Sequence, residues 1–442
     1  MQYRDALLYL DSLSNFEHIP HFSYRKELNI QRMKRLLSCF DHPERSFRPV
    51  LIAGTKGKGS TAQFLASILS ASGLSAGLYT SPHLTDVRER FQVNGRMISR
   101  TEFAKQVSHI RKVLRHKTKA QSRGPYTYFE ITTLLAFLFF KAKGARWAVL
   151  EAGMGGRLDA TNAVQQVLSI ITPIGLDHTD QLGDTIRKIA GEKAGIIKSN
   201  IPVLLARQAS AAERVIRARA KQFEAPIQMI RHDFHYRTKR FGSWGTIFGF
   251  WMRDERLTDC RIHLAGEYQV ENAAVAAKAA MLLKDRFGLP IHSATVRRGL
   301  LQAKWPGRFE KICRGQKTFI LDIAHNLLSM TELVRTIRKL YGSQYLQIIM
   351  GISRDKSGGA LFREISRVSN HLILTRSRHP RAAHVRELLN LASPFFSVII
   401  PTDNTRQALE TAYHLHNRQS MILVTGSVFV VGEVRKILLG TP

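Results

Sequence analysis

The chain is poor in cysteine and in acid. Its three cysteines, Cys39, Cys260 and Cys313, stand far apart among 442 residues. None has the spacing of a zinc site, and so small and odd a number excludes a disulfide framework. A reducing compartment is the expected setting. Asp and Glu number 34 against 66 Lys and Arg, a formal net charge of +32. That excess implies anionic partners: nucleotides, polyanionic metabolites, nucleic acid or a membrane surface. A basic solvated surface gives the same figure, and net charge speaks of association rather than fold. Long apolar runs are missing as well. The most apolar, Ile131 to Phe140, is too short to span a bilayer and reads as a buried helix. The N-terminus, Met1-Gln2-Tyr3-Arg4-Asp5, lacks a signal-peptide core. No region is of low complexity. A cytoplasmic protein with no membrane partner is therefore expected, and a hydrophobic content of 44% supports ordinary cores in two or three domains.

What is present is organised around Gly54-Thr55-Lys56-Gly57-Lys58-Gly59-Ser60-Thr61. The apolar run Val50–Ala53 before it reads as a buried strand. After it, Phe64, Leu65, Ile68 and Leu69 recur at helical spacing until Gly73. A glycine-rich turn between strand and helix directs backbone N–H groups to one point, and the helix N-terminus adds its dipole. Lys58 adds a charge, and Ser60 or Thr61 offers a hydroxyl to magnesium. The assembly suits a nucleoside triphosphate. Its spacing is not the standard phosphate-loop formula, and a tight connection alone is the plainer alternative.

Residues 1–47 read as amphipathic helix, with Leu28, Ile30, Met33, Leu36 and Leu37 as the apolar stripe. Strands are expected at Ala76–Thr80, Trp147–Glu151 and Leu168–Ile171, with an exit turn at Pro82, a basic solvated helix and loop over 100–123, and a packed helix from Tyr126 to Phe140. Strand and helix alternate, which predicts a parallel sheet covered on both faces, with ligands at the carboxyl edge. Over 231–264, aromatics and glycines alternate through Phe241-Gly242-Ser243-Trp244-Gly245-Thr246-Ile247-Phe248, predicting a small antiparallel subsheet; base stacking is the alternative use of such a pattern. A turn-rich junction, Trp305-Pro306-Gly307-Arg308, separates the helical Asn272–Leu283 from renewed alternation, with strands at Phe319–Leu321, Gln347–Met350, Leu372–Leu374 and Ile422–Val424. The fold class expected is α/β: an N-terminal phosphate-loop domain over 1–302, mostly parallel and carrying the subsheet, and a smaller Rossmann-like domain over 303–442.

Four further segments carry chemistry. Glu151 heads Glu151-Ala152-Gly153-Met154-Gly155-Gly156-Arg157-Leu158-Asp159-Ala160-Thr161-Asn162; His178 lies in Gly175-Leu176-Asp177-His178-Thr179-Asp180; Lys193 lies in Gly191-Glu192-Lys193-Ala194-Gly195; Asp322 and His325 lie in Leu321-Asp322-Ile323-Ala324-His325-Asn326. Taken singly, Glu151 and Asp322 are ordinary helix-start acids, Lys193 a surface lysine, His178 a loop histidine and Phe129 a core ring. With Trp305–Arg308 and the late Gly426-Ser427-Val428-Phe429-Val430-Val431-Gly432-Glu433, the ordered set resembles the folylpolyglutamate synthase/dihydrofolate synthase branch of the Mur ligase superfamily, from about residue 50 to the C-terminus.

The resemblance implies an ATP-dependent ligase that joins L-glutamate to dihydropteroate and to reduced folates through an acyl phosphate. By the same resemblance, Gly54, Thr55, Lys56, Gly57, Lys58, Gly59, Ser60 and Thr61 hold the phosphates. Asn272, Arg308, Asp322 and His325 are nucleotide contacts. Two magnesium ions are implied, with Ser60, Ser81, Glu151, His178 and Lys193 as ligands; histidine is an unusual magnesium partner, so its role rests on the resemblance. Lys193 matches a lysine carbamylated in the family, and Lys58, His178 and Lys193 form the catalytic group. Ser81 and Pro82, with Thr127, Phe129 and Asp159, match substrate contacts, the last three at a pterin pocket. Lys56, Tyr268 and Ile323 depart from the family's usual Asn, His and Gly. A monomer is expected and nucleic acid is not. The alternatives are another Mur-type ligase acting on a peptide or cell-wall carboxylate, and a basic nucleic-acid-binding protein on a ligase fold.

Overall fold

The computed structural model describes the chain except residues 20–21, 122–125, 243–244, 254, 343–345, 355–357, 416–420 and 441–442, and it leaves the side chains of 117–121 undescribed. Ser243 and Trp244 of the aromatic alternation, and residues 122–123 of the basic segment, lie outside the described residues.

The first sheet comprises β1 (Arg48–Ala53), β2 (Ala76–Tyr79), β3 (Phe91–Val93), β4 (Arg96–Met97), β5 (Trp147–Glu151), β6 (Leu168–Ile171), β7 (Val203–Leu205) and β8 (Ile227–Met229). Their order is β4-β3-β2-β5-β1-β6-β7-β8. All neighbours are parallel except the β2–β3 and β3–β4 pairs, where Asn94 and Gly95 turn a hairpin at the edge. In β1, Val50 and Ile52 face one core while Leu51 and Ala53 face the other. A strand buried on both sides reads as a continuous apolar run, which is why the sequence announces it. The first core receives Phe64, Ile68 and Leu69 from helix Lys58–Ala71 and the alanine-rich face of helix Glu267–Phe287; the second receives Ile131, Leu134 and Phe137 from helix Tyr128–Ala142.

The basic segment is one long helix, Arg100–Gln121, less solvated than expected because Phe103, Val107 and Ile110 are fully buried. Residues 1–47 are helical in pieces, Tyr3–Asp11, Tyr24–Glu27 and Ile30–Ser38, followed by a 3-10 turn at Pro43–Ser46. Of the expected stripe, Met33, Leu36 and Leu37 are buried.

The second sheet is antiparallel: β9 (Phe234–Gly242), β10 (Gly245–Met252) and β11 (Arg256–Ile262), with β10 central. Phe248 and Phe250 are buried in the core of the first sheet's helix layer, so this alternation is hairpin packing rather than a stacking surface. The third sheet holds β12 (Glu310–Arg314), β13 (Lys317–Leu321), β14 (Leu346–Met350), β15 (His371–Leu374), β16 (Val398–Pro401) and β17 (Met421–Thr425), in the order β12-β13-β17-β14-β15-β16. Only β12 runs antiparallel. No helix among the described residues is long and apolar enough to cross a membrane.

Candidate active site

The carboxyl ends of β1 and β5 lie side by side, with Ile52 in register with Glu151. The chain leaves β1 through Gly54–Gly57 and re-enters a helix at Lys58. Gly57 caps that helix at φ +77°, and a Cβ there would stand 2.3 Å from Asn272 Oδ1. A Cβ on Gly59 would stand 2.9 Å from the Trp305 ring and 3.1 Å from Glu151 Oε2. These glycines therefore let three distant segments close on the turn: Asn272, Trp305 and Glu151. The turn is pinned from beneath, because the Thr55 and Lys56 N–H groups both donate to Pro173 O, at 3.0 and 3.2 Å.

Two lysines and one carboxylate define the centre. Lys58 Nζ stands 4.0 Å from Glu151 Oε1, and the Ser81 N–H donates to Glu151 Oε2 at 3.2 Å. Burial raises the Glu151 pKa, while Lys58, the Ser81 N–H and Arg308 oppose that rise. Lys193 is 4% exposed, and its Nζ donates to Gly54 O at 2.7 Å. Burial, and secondarily Lys58, bring its pKa down to about 7. A buried amine against the carbonyl that opens the phosphate turn is not a surface lysine.

From the third sheet, Asp322 follows β13 and accepts from the Phe309 and Ala324 N–H groups at 2.9 and 3.0 Å. Burial raises its pKa and Arg308 opposes that rise. Arg308 is itself pulled down by burial and held up by Asp322, Glu151 and Tyr268. His325 Nδ1 lies 2.8 Å from Ile323 O, and Asn272 Nδ2 donates to Gln269 Oε1 at 3.1 Å. Ile323 keeps a negative φ, so a β-branched residue is accommodated there without backbone strain. Tyr268 lines the same cleft and packs over Gly266, where a Cβ would stand 2.4 Å from its ring. The Asn326 amide donates to Asp177 Oδ2 at 3.1 Å, tying the two α/β units together beside His178, which sits at φ +50°.

The other end of the cleft is aromatic. Phe129 packs against Gly153, where a Cβ would meet its ring at 2.6 Å, and Phe16 stacks on Phe22 at 4.4 Å between centroids. Thr127 caps helix Tyr128–Ala142 by accepting from the Glu130 N–H, and its own N–H and hydroxyl donate to the Glu130 carboxylate. Asp159 is 2% exposed and accepts from the N–H groups of Met154 and Thr161 and from the Thr161 hydroxyl. Both residues therefore shape their own loops as well as facing the cleft. Behind them Arg90, fully buried, donates to both Glu17 oxygens at 2.8 and 2.6 Å and to His83 Nδ1 at 2.9 Å. That network fixes the Ser81–His83 loop against the segment bearing Phe16.

These residues surround one cavity of ≈ 540 Å³. The structure brings into its lining Thr55 to Ser60, Ser81, Pro82, Thr127, Phe129, Glu151 and Asp159, together with His178, Asn272, Arg308, Asp322 and His325. Gly54, Thr61 and Lys193 are buried and are not among the residues that line it. Among the described residues, no three His, Cys, Asp or Glu side chains converge as a ready-made metal site. One carboxylate at a phosphate turn fits magnesium, which keeps water and takes much of its shell from substrate phosphates. Sequence reasoning did not single out Phe16, Phe22, Asp177, Asn326 or Glu332, which also line the cavity. Asp177 and Asn326 adjoin residues that were singled out; nothing local to Phe16 or Phe22 marks them, since only the fold brings them to the cleft.

Comparison with known proteins gives matches along the whole chain. Residues 52–280 match the Mur ligase middle domain, and residues 307–428 match the Mur ligase, glutamate ligase domain. The chain is 32% identical over 408 residues to dihydrofolate synthase/folylpolyglutamate synthase of Bacillus subtilis, covering 92% of this chain and 94% of that one. It is 30% identical over 440 residues to folylpolyglutamate synthase of Lacticaseibacillus casei, covering 100% and 99%. Among solved structures, Mycobacterium tuberculosis folylpolyglutamate synthase complexed with ADP and AMPPCP superposes with a TM-score of 0.89 at 28% identity, covering 99% of each chain.

Proposed function

The chain belongs to the folylpolyglutamate synthase/dihydrofolate synthase family of Mur ligases, and from that premise we propose that it couples ATP cleavage to joining L-glutamate to dihydropteroate and to reduced folates. The observation that carries this reading is the meeting of Lys58, Glu151, Arg308 and Asp322, from two α/β units, around one cleft with an aromatic end, with buried Lys193 held on Gly54 O at the start of the phosphate turn.

In this reading the acceptor's carboxylate oxygen attacks the γ-phosphorus. The bond to ADP breaks and an acyl phosphate forms. The glutamate amine then attacks the acyl carbon, loses a proton, and expels phosphate as the amide forms. Each step gathers negative charge, so catalysis is mostly positioning and electrostatic stabilisation. Lys58 and the N–H groups of Gly57 to Ser60 hold the phosphates; Arg308 holds charge from the other side. Asn272, Asp322 and His325 orient the nucleotide. Ser60, Ser81, Glu151, His178 and a carbamylated Lys193 would hold two magnesium ions, which neutralise phosphate charge when bound. Phe129 offers a ring face to the pterin, and Asp159 keeps acceptor capacity for its N–H donors. Thr127 sets the helix that presents Phe129, and Pro82 bounds the pocket beside Ser81. We divide the chain into 1–302 and 303–442, a boundary supported by the third sheet's start at Glu310. One copy supplies every group named, so we read the working unit as a monomer.

The acceptor assignment has a direct test. Phe129→Ala removes the stacking face, and Asp159→Ala strands buried donors, each at a cost on the order of 1–3 kcal/mol, or about 10- to 100-fold in acceptor affinity. Asp159→Asn, which keeps an oxygen for Thr161, separates loop shape from pterin contact. Dihydropteroate KM should rise in all three with nucleotide binding unchanged. Unaltered dihydropteroate kinetics in Phe129→Ala and Asp159→Asn would move the pterin elsewhere. Equal losses with tetrahydrofolate would show one shared pocket.

A further inference from the structure

Among the described residues, two side chains of the phosphate turn bury a polar atom without a hydrogen-bond partner, Lys56 at Nζ and Thr61 at Oγ1, and of these only Lys56 carries a charge. Its backbone is clamped to Pro173, yet its Nζ is buried without a hydrogen-bond partner among the described residues. An ammonium has three donors, and leaving them unmet in a buried site is costly. The carboxylates it faces are Glu332, Asp177 and Asp322. Each is committed elsewhere: Glu332 to Arg335 at 2.8 Å, Asp177 to Asn326 at 3.1 Å, and Asp322 to the Phe309 and Ala324 N–H groups. Those acids compensate Lys56 only at a distance, and burial still draws its pKa down to about 7. Lys56 lines the same cavity as Lys58, Glu151 and Asn272, so its unmet donors border the cleft in which the ligase reading puts the phosphate chain.

We propose that the Lys56 side chain is a second phosphate-binding cation, which raises affinity for the nucleotide's phosphate chain at the expense of the nucleotide-free protein's stability. The proposal rests on the ligase reading above and deepens it. A lysine serving only to hold the turn would stabilise the free protein. A lysine waiting for phosphate does the opposite, because its unmet donors are satisfied only in the complex.

The test uses the full chain with Lys56→Met, which keeps length and removes charge, and Lys56→Gln, which keeps a donor. Thermal midpoints are measured without nucleotide, and dissociation constants with AMPPCP, ADP and adenosine. We expect midpoints equal to or above the parent's. AMPPCP should bind about 10- to 100-fold more weakly to Lys56→Met, with Lys56→Gln between, and adenosine should bind as before. An equal loss with ADP places the contact on the α- or β-phosphate, and an undiminished ADP affinity places it on the γ-phosphate; both support the proposal. Unchanged AMPPCP affinity overturns it. So does a lowered midpoint with adenosine weakened in parallel, which makes Lys56 a structural pin. A parent chain that binds no AMPPCP overturns the ligase reading along with the proposal, whereas a parent that binds and a variant that binds equally removes only the role of Lys56.

Discussion

Lys193→Ala should lose ligase activity by on the order of 100-fold or more while keeping its fold. The expectation comes from burial and pairing. The amine is 4% exposed and donates to Gly54 O, inside a site whose other close lysine is Lys58. With its pKa near 7, its neutral, nucleophilic form is well populated at neutral pH, unlike that of a surface lysine. In the reading proposed above, that form would add carbon dioxide: nitrogen bonds to carbon, one proton leaves, and the neutral amine becomes a carboxylate-like oxygen donor. Glu151 alone would be a sparse anionic ligand set for the two magnesium ions proposed, and a carbamate would supply a second anionic ligand. The parent protein should therefore lose activity in bicarbonate-free buffer and recover it on bicarbonate addition. Acetate should partly rescue Lys193→Ala but not the parent. Carbon-13 NMR after labelled bicarbonate should give a carbamate signal that Lys193→Ala lacks. Full turnover without bicarbonate, together with no such signal, would remove the carbamate.

Lys58→Ala should lower turnover by about 100- to 1,000-fold, the usual cost of one preorganised charge at a phosphoryl or oxyanion site. Lys58 begins the helix after the glycine turn, and its Nζ is 4.0 Å from Glu151. Removing it leaves a buried carboxylate whose pKa burial already raises, so the variant should also need higher pH for its residual activity. The sign follows from the direction of the shift: loss of the cation favours protonated Glu151, and a protonated acid is a poor metal ligand. Phosphate release measured across pH checks both points. Parent-like turnover in a folded Lys58→Ala protein would contradict the phosphate-turn assignment.

How much of this was readable beforehand depended on the range of the signal. β1, β5 and β6 are doubly buried and short, so their apolar runs stood out. Edge strands such as β4, with Arg96 and Met97 both exposed, carry no such run and went unread. β16, whose Val398 and Pro401 are exposed, escaped for the same reason. The phosphate turn was legible because glycine spacing is local chemistry. Lys193 was legible only through resemblance; its burial is set by the packing of helix Ile186–Ala194 against the turn, which no spacing rule reports. Phe16 and Glu17 reach the cleft through Arg90, 73 residues on from Glu17, and a contact of that separation leaves no periodic trace. Thr127 and Asp159 were read as ligand contacts, and the fold adds that both also cap their own segments.

The central claim is that the cleft joins glutamate to a folate-type carboxylate at the cost of ATP. Its most direct measurement is mass analysis of the products formed from dihydropteroate, L-glutamate, ATP and magnesium, with phosphate counted in the same tube. The account predicts a product heavier by one glutamyl residue, one phosphate released per bond, and neither without any one of the substrates. Phosphate release that ignores dihydropteroate and tetrahydrofolate alike, with no glutamylated product, would contradict it.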